Sequence, residues 1–233
     1  MFDKVSAIVS AYFAEEYLQG RIDNLMEQEP RPEIIVVLQF DSPEAQIMDN
    51  YGYEAHVTRL YTTDVPTVAS AWNIGIKAST GKYITNSNCD DRLLPGALAK
   101  LIQVLDDNPD CAVAYGNQNI VKEIDGEVVG KYEWAEGNLE KLLLGCFLGP
   151  MPVWRKSVHD KYGYFDETFK SAHDYEFWLR LSAGKEKFYH VREVIGNYLD
   201  RHSSVEHRQK ILSIWETARA RALYRKGVKA WSY

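Results

Sequence analysis

The chain has 233 residues, 45% of them apolar, 26% charged and 12% aromatic, and 27 Lys plus Arg against 33 Asp plus Glu leave a formal charge of -6. This composition excludes disorder and collagen-like architecture, and without a basic excess, general binding to nucleic acid is excluded as well. Cys89, Cys111 and Cys146 show neither CxxC spacing nor the density of a disulfide-stapled domain, so a reducing compartment and no structural zinc are expected. No apolar run approaches the roughly 20 residues of a membrane helix, and no signal-peptide core is written at the N-terminus. The expected address is the cytoplasm, with peripheral attachment at the inner face of the membrane as a variant.

In chain order, residues 5–10 are a short β-branched run expected as a buried strand. Tyr17, Leu18, Ile22, Leu25 and Met26 then recur at helical spacing, and Pro30 and Pro32 close that helix before 33–38 resumes a strand. A weaker strand over 55–61 leads to Asp64 and Pro66, read as the cap and first-turn proline of a helix that runs to about Ser79 and ends at Gly81. Residues 82–85 give another short strand. A helix follows, opened by Pro95, carrying Leu94, Leu98, Leu101 and Leu105 on one face and closed by Asn108 and Pro109; 111–116 is again strand-like. Repeated strand and helix units predict a mainly parallel sheet covered by helices.

The second half changes character. Residues 119–133 hold two β-rich runs about Asp125-Gly126, a hairpin signal. Short helices over 137–144 and 155–161 precede a helix around Phe177, Trp178, Leu179 and Leu181 that Gly184 stops, and β-like pieces span 188–198. From Ser203 onward one helix, capped by Ser203 or Ser204, carries Ile211, Leu212, Ile214, Trp215, Ala218 and Leu223, expected to pack on its own domain. A single domain is expected, with 1–116 and 117–202 as its halves and 203–233 as a C-terminal helix.

Open parallel sheets bind ligands beyond the carboxyl ends of their strands, which singles out Ser10, Tyr12, Gln39, Asp41 and the stretch 86–91. Asn88, Asp90 and Asp91 follow a strand and precede a helix. Hard oxygen donors in that place suit Mg²⁺ or Mn²⁺ carrying a diphosphate; equally, they could only cap turns. No GxGxxG or GxxxxGK[ST] loop occurs, which leaves a metal as the natural partner of a diphosphate. His173, Asp174 and Glu176 open a helix beside aromatic residues, where Asp174 reads either as a general base or as a helix cap. His202 and His207 are further candidates for metal or phosphate. Trp178 and Trp215 read as core, Trp134 and Trp154 as candidates for an acceptor surface.

Taken together, these segments resemble the nucleotide-sugar-dependent glycosyltransferases of the GT-A fold, specifically the inverting family-2 group. Residues 5–28 look like that family's opening strand and helix and 33–44 like its second strand. Residues 72–91 look like its Asn-x-Gly segment, here Asn73 and Gly75, running into a metal motif, and 149–181 like its acceptor-side segment ending in the catalytic helix. The resemblance implies a Rossmann-like α/β fold with a mainly parallel central sheet flanked by helices, a β-hairpin excursion and a C-terminal helix. The implied activity is transfer from a nucleoside-diphosphate sugar, a UDP-sugar first, to a hydroxyl of a glycan or lipid-linked acceptor, as in polysaccharide or cell-envelope glycan synthesis.

Carried over residue by residue, Ser10 and Tyr12 match the turn that holds base and ribose, and Asp41, or Gln39 in its place, the nucleotide-binding acid after the second strand. Asn73, Asn88 and Asp91 fall in the donor-side segments. Asn88-Cys89-Asp90 lies on the DxD motif, whose last Asp binds Mn²⁺ or Mg²⁺; His202 matches a late histidine near the metal or diphosphate. Asp174 matches the general base, with His173 and Trp154 on the acceptor side. Two departures stand out. Leu38-Gln39-Phe40-Asp41 replaces a direct acid pair, and Asn88 replaces the first Asp of the metal motif, which removes one charge. The competing classes are a non-catalytic nucleotide-sugar or glycan-binding domain and a nucleotidyltransferase, the latter opposed by the missing glycine-rich loop.

Overall fold

The computed structural model describes residues 4–50, 52, 56–64, 67–124, 126–200 and 210–225. Its strands are β1 (Val5–Ala11), β2 (Glu33–Gln39), β3 (Val57–Thr62), β4 (Tyr83–Asn86), β5 (Arg92–Leu93), β6 (Cys111–Val121), β7 (Val128–Tyr132), β8 (Val153–Arg155) and β9 (Lys187–Leu199). Its helices are α1 (Leu18–Met26), α2 (Pro43–Asn50), α3 (Val68–Ala78), α4 (Ala97–Asp107), α5 (Leu139–Leu144), α6 (Val158–Tyr162), α7 (His173–Ala183) and α8 (Lys210–Tyr224). The strands join in one sheet of order β3-β2-β1-β4-β8-β6-β9-β5, with β7 paired to β6. The β3, β2, β1 and β4 strands are parallel, and so are β6 and β9, whereas β8 runs antiparallel between β4 and β6. This is the mainly parallel, helix-covered α/β sheet that the sequence predicts.

Side-chain alternation along the central strands divides the core. Val5, Ala7, Val9 and Ala11 of β1, with Ile34, Val36 and Leu38 of β2, face α1, α2 and α4 in a core of mostly aliphatic residues. Ile8 and Ile35 point the other way, into a core with Trp72, Tyr115, Phe147, Trp154, Phe165, Phe169, Phe177 and Trp178. The Asn-x-Gly segment has a packing reason: α3 lies so close on β1 that a methyl group on Gly75 would run into Ile8.

Several expectations are corrected. Helix α3 is capped by Thr67, whose hydroxyl accepts from the Ser70 N–H, and not by Asp64; Pro66 lies outside the described residues. Helix α2 was not anticipated, although Ser42-Pro43 is a cap followed by a first-turn proline and the Ser42 hydroxyl accepts from the Ala45 N–H at 3.3 Å. The hairpin exists as β6 and β7, but Asp125 at its turn lies outside the described residues. The pieces over 188–198 form one continuous strand, β9. The C-terminal helix is turned the other way from expectation: Trp215 is 59% exposed and Ile211 86%, while Glu216 and Ala220 are buried. Small and charged residues occupy that seam because α8 packs closely along α7, and periodicity of apolar residues misjudged its face. Ser203 and Ser204 lie outside the described residues.

Candidate active site

The stretch after β4 is pinned against the end of β1: the Ser87 N–H donates to the Ile8 carbonyl at 2.9 Å and the Cys89 thiol to the Ser10 carbonyl at 3.5 Å. Beneath the 88–91 turn, α1 presents Arg21, fully buried, which donates to the Asp91 carbonyl at 3.1 Å and to Asn24 Oδ1 at 3.0 Å. Asn24 in turn brackets Leu93, donating to its carbonyl and accepting from its N–H. Arg92 closes the turn on itself through the carbonyls of Cys89 and Asp91. Burial lowers the Arg21 guanidinium to about 10, with Asp91 opposing the shift. Burial, with Asp90 next to it, pushes Asp91 up to about 7, against the pull of Arg21. Cys89 is pushed up to about 12 by burial, so it is a packed thiol and not a nucleophile. Asp91 thus lies under the turn, and Asn88 donates its amide to Asp91 Oδ2 at 3.2 Å while itself remaining partly exposed, as Asp90 does.

Among the other donor-side candidates, Tyr12 meets Thr62 Oγ1 at 2.7 Å and so ties the end of β1 to that of β3. Ser10 and Gln39 are partly exposed and Asp41 is exposed. Phe13 and Asp41 both adopt left-handed backbone, at φ 50° and 60°, a conformation that non-glycine residues rarely hold. Beside them Phe13 and Phe40 are 79% and 70% exposed, and Phe40 meets the Tyr61 ring edge-on at 5.9 Å. Asn73 does not face this rim. It is buried, donating to the Phe165 carbonyl and to Glu167 and accepting from the Phe165 N–H at 3.0 Å, a brace for the 165–167 loop.

Helix α7 is followed by β9 after only three residues, so its first turn lies at the carboxyl edge of the sheet, the edge that carries the 88–91 turn. Asp174 sits in that first turn, partly exposed, its Oδ1 accepting from the Tyr175 N–H at 2.7 Å. The far end of β9 comes near the same turn, where the Leu199 backbone favours the charged form of Asp91. His173 is buried with its ring 4.9 Å from that of Trp72, and burial lowers its pKa although Asp174 and Glu216 both favour its charged form. Trp154 is fully buried in β8 with its Nε1–H on His159 Nε2 at 3.0 Å. Neither His173 nor Trp154 presents a surface to an acceptor. Trp134 is partly exposed, stacked on Tyr132 and donating to Gln118. His202 lies outside the described residues.

Sequence reasoning missed Arg21 and Glu216. A usable signal was present for the first, a charge inside the apolar stripe Leu18, Ile22 and Leu25. No three His, Cys, Asp or Glu side chains converge among the described residues. The donor set of the turn nevertheless fits a hard divalent cation. Asp90 and Asn88 offer oxygens on one tight turn, and Asn86 Oδ1 and Asp91 Oδ1 are buried beside it without a hydrogen-bond partner. Mg²⁺ and Mn²⁺ take few protein oxygens and complete their shells with water and phosphate.

Comparison with known proteins agrees with this geometry. A glycosyltransferase of Haemophilus influenzae, itself uncharacterized, is 26% identical over 76% of this chain and 61% of its own length. A chondroitin synthase of Pasteurella multocida is 25% identical over 83% of this chain and 20% of its own. The first of these shows that the chain spans about three fifths of the length of such relatives. Among solved structures, S. aureus TarS 1-349 in complex with UDP-GlcNAc superposes with a TM-score of 0.77 at 17% identity, over 98% of this chain and 68% of that one. A mannosyltransferase from Pyrobaculum calidifontis in complex with GDP-Man and Mn²⁺ gives 0.75 at 16%, over 99% and 66%. These two establish the shared fold. The model of the glycosyl transferase family 2 matches residues 6–174, most of the sheet and the first two residues of α7, and the chain belongs to that family.

Proposed function

We propose that the protein transfers a sugar from a nucleoside-diphosphate sugar, a UDP-sugar first, to a hydroxyl of a glycan or lipid-linked acceptor, with inversion at the anomeric carbon. The observation that carries this reading is the placement of a partly exposed carboxylate, Asp174, in the opening turn of α7, on the sheet edge that holds the oxygen-rich 88–91 turn. The acceptor oxygen attacks the anomeric carbon, its proton passes to Asp174, and the bond to the diphosphate breaks with its electron pair on the leaving nucleoside diphosphate. A single displacement of this kind inverts the centre. The ligands of the fold relatives, UDP-GlcNAc in one and GDP-Man with Mn²⁺ in the other, support a donor of this class. Residues 1–116 serve as the donor half and 117–202 as the acceptor half of one domain.

Asp90, with the Asn88 carbonyl and His202, would hold a divalent cation, which when bound offsets charge on the departing diphosphate. Ser10, Tyr12, Gln39 and Asp41 line the strand ends where base and ribose would lie. Arg21 and Arg92 hold the turn rigid beneath the donor, which limits the rearrangement needed as charge develops.

Replacing Asp174 by Asn tests the base. Transfer should fall by about 10²- to 10⁴-fold, the usual contribution of a general base, while UDP-sugar affinity measured calorimetrically stays within twofold. Near-full transfer by the variant would remove Asp174 from the reaction. A panel of UDP-, GDP-, dTDP- and CMP-sugars with Mn²⁺, Mg²⁺ or chelator, on the native chain and on Asp90→Ala, identifies the base and the metal dependence. Sugar-nucleotide binding without transfer to any acceptor of a broad panel would favour the binding-module alternative.

A further inference from the structure

The first turn of α7 has no side-chain cap of its own. The N–H groups of the residues that lead into it, Lys170, Ser171 and the N-cap Ala172, instead find a partner 44 to 46 residues further along the chain. The Glu216 carboxylate of α8, 1% exposed, accepts from the backbone of Lys170 with both oxygens, at 2.8 and 3.0 Å, and through Oε2 from Ser171 at 2.8 Å and Ala172 at 3.0 Å. Three further side chains of α8 continue the grip on α7 and on the loop before it. Arg219 donates to Thr168 Oγ1 and lies 4.2 Å over the Phe169 ring, Arg221 reaches the Tyr175 hydroxyl at 3.0 Å, and the Tyr224 hydroxyl donates to Glu176 at 2.5 Å. Asp174 stands two residues beyond the last N–H that Glu216 accepts.

We infer that Glu216 is a positioning residue for Asp174: by fixing the 170–172 backbone it sets the pitch and location of the opening turn of α7, and so makes α8 part of the catalytic apparatus. The inference rests on the reading of Asp174 as the base. Glu216 lies outside the span that matches the family model, which ends at Asp174. Burial raises its pKa, but the N–H groups of Ala172, Lys170 and Ser171 outweigh that and hold it below the ordinary range, so it remains a carboxylate at neutral pH. The anion also meets the positive end of the α7 dipole. Truncation would leave three N–H groups of a partly buried loop to find other partners, and the loop would relax.

The experiment is a pair of substitutions, Glu216→Ala and Glu216→Gln, assayed for transfer with a UDP-sugar, for donor affinity by calorimetry, and for amide exchange over 168–176. The alanine variant should lose at least about tenfold in kcat, since misplacement by about 1 Å costs up to about 100-fold, with donor affinity within twofold. The glutamine variant keeps one acceptor oxygen and should lie between the alanine variant and the native chain. Amides 170–175 should exchange faster in both. Should Glu216→Ala fail to fold, Glu216→Gln carries the test alone. Native kcat in Glu216→Gln, unchanged exchange, or an equal loss of kcat and donor affinity would each overturn the inference. If Asp174→Asn retained transfer, the base reading would fall by a different measurement. If Asp174→Asn abolished transfer while Glu216→Gln kept native kcat, the role of Glu216 alone would fall.

Discussion

The two faces of the sheet are built from different chemistry. The face under α1, α2 and α4 is filled by Val, Ile, Leu and Ala delivered by consecutive strand and helix units, whereas the face under α3, α5, α6, α7 and α8 is filled by interlocking rings. Each aliphatic side chain acts through the area it removes from water and tolerates swaps of similar volume. The aromatic face depends on ring geometry and on buried polar tips that need partners. Trp154 meets Trp178 edge-on at 5.5 Å, and His159 stacks on Phe177 and Tyr164. The second kind of core can carry a precisely set helix such as α7, but it admits fewer substitutions.

That contrast is open to test. The largest effect is expected from Trp154→Ala, which empties the centre of the aromatic core and strips His159 of its donor; a loss of about 3–5 kcal/mol in chemical denaturation is expected. A loss no larger than that of a surface substitution would break the distinction. Asn73→Ala removes three hydrogen bonds that brace the 165–167 loop, and should cost roughly 1–3 kcal/mol by the same measurement. Trp215→Ala, at a ring 59% exposed, should change stability by less than about 0.5 kcal/mol. Comparable losses from Trp154 and Trp215 would mean that α8 buries its apolar stripe after all.

His159 sharpens the comparison through pH. Burial, with the Arg180 charge, lowers its pKa from 6.5 to about 4, against the Gly163 carbonyl, which favours the charged ring; Trp154 donates to Nε2, so the neutral ring carries its proton on Nδ1, facing Gly163. The folded chain therefore binds fewer protons than the unfolded chain between these values, so stability rises with pH across that window. The contribution is complete above about pH 6.5 and is lost as pH falls toward 4. Asp91, raised to about 7, contributes the opposite slope over much of the same window, so the His159 contribution is read as the difference between thermal unfolding scans of the native chain and of His159→Gln. An unaltered slope would place the titrating group elsewhere.

The aliphatic face was legible in the sequence because its signals are local. The Leu98, Leu101 and Leu105 stripe and the β-branched runs of β1 and β2 each predict their own element and its buried side. The aromatic face was not, because Trp154, Phe165, Phe169 and His173 come from short or irregular segments whose burial is decided by contacts far along the chain. Hence Trp154 and His173, chosen as acceptor-side residues, proved to be interior, and Trp215, chosen as interior, proved to be exposed. In the candidate site the positions of Asn88, Asp90 and Asp174 followed from strand-end and helix-start patterns. The supports, Arg21 and Glu216, did not, since a charge on an inward face looks locally like a break in periodicity. In both cases the chain places a charge inside to satisfy backbone groups of another segment.

Strand β8 has only three residues, yet it supplies the hydrogen bonds between β4 on one side and β6 on the other, and Trp154 pairs with Ile84 and Val113 at once. The parallel strands β3-β2-β1-β4 and the β6-β9 pair are thus joined within the sheet by one short antiparallel strand, laid down only after more than 150 residues of chain. Its ladder cannot close until both sets of strands are in place. Without these three residues β4 and β6 would face each other as two unpaired strand edges, the kind of edge that invites pairing with another chain.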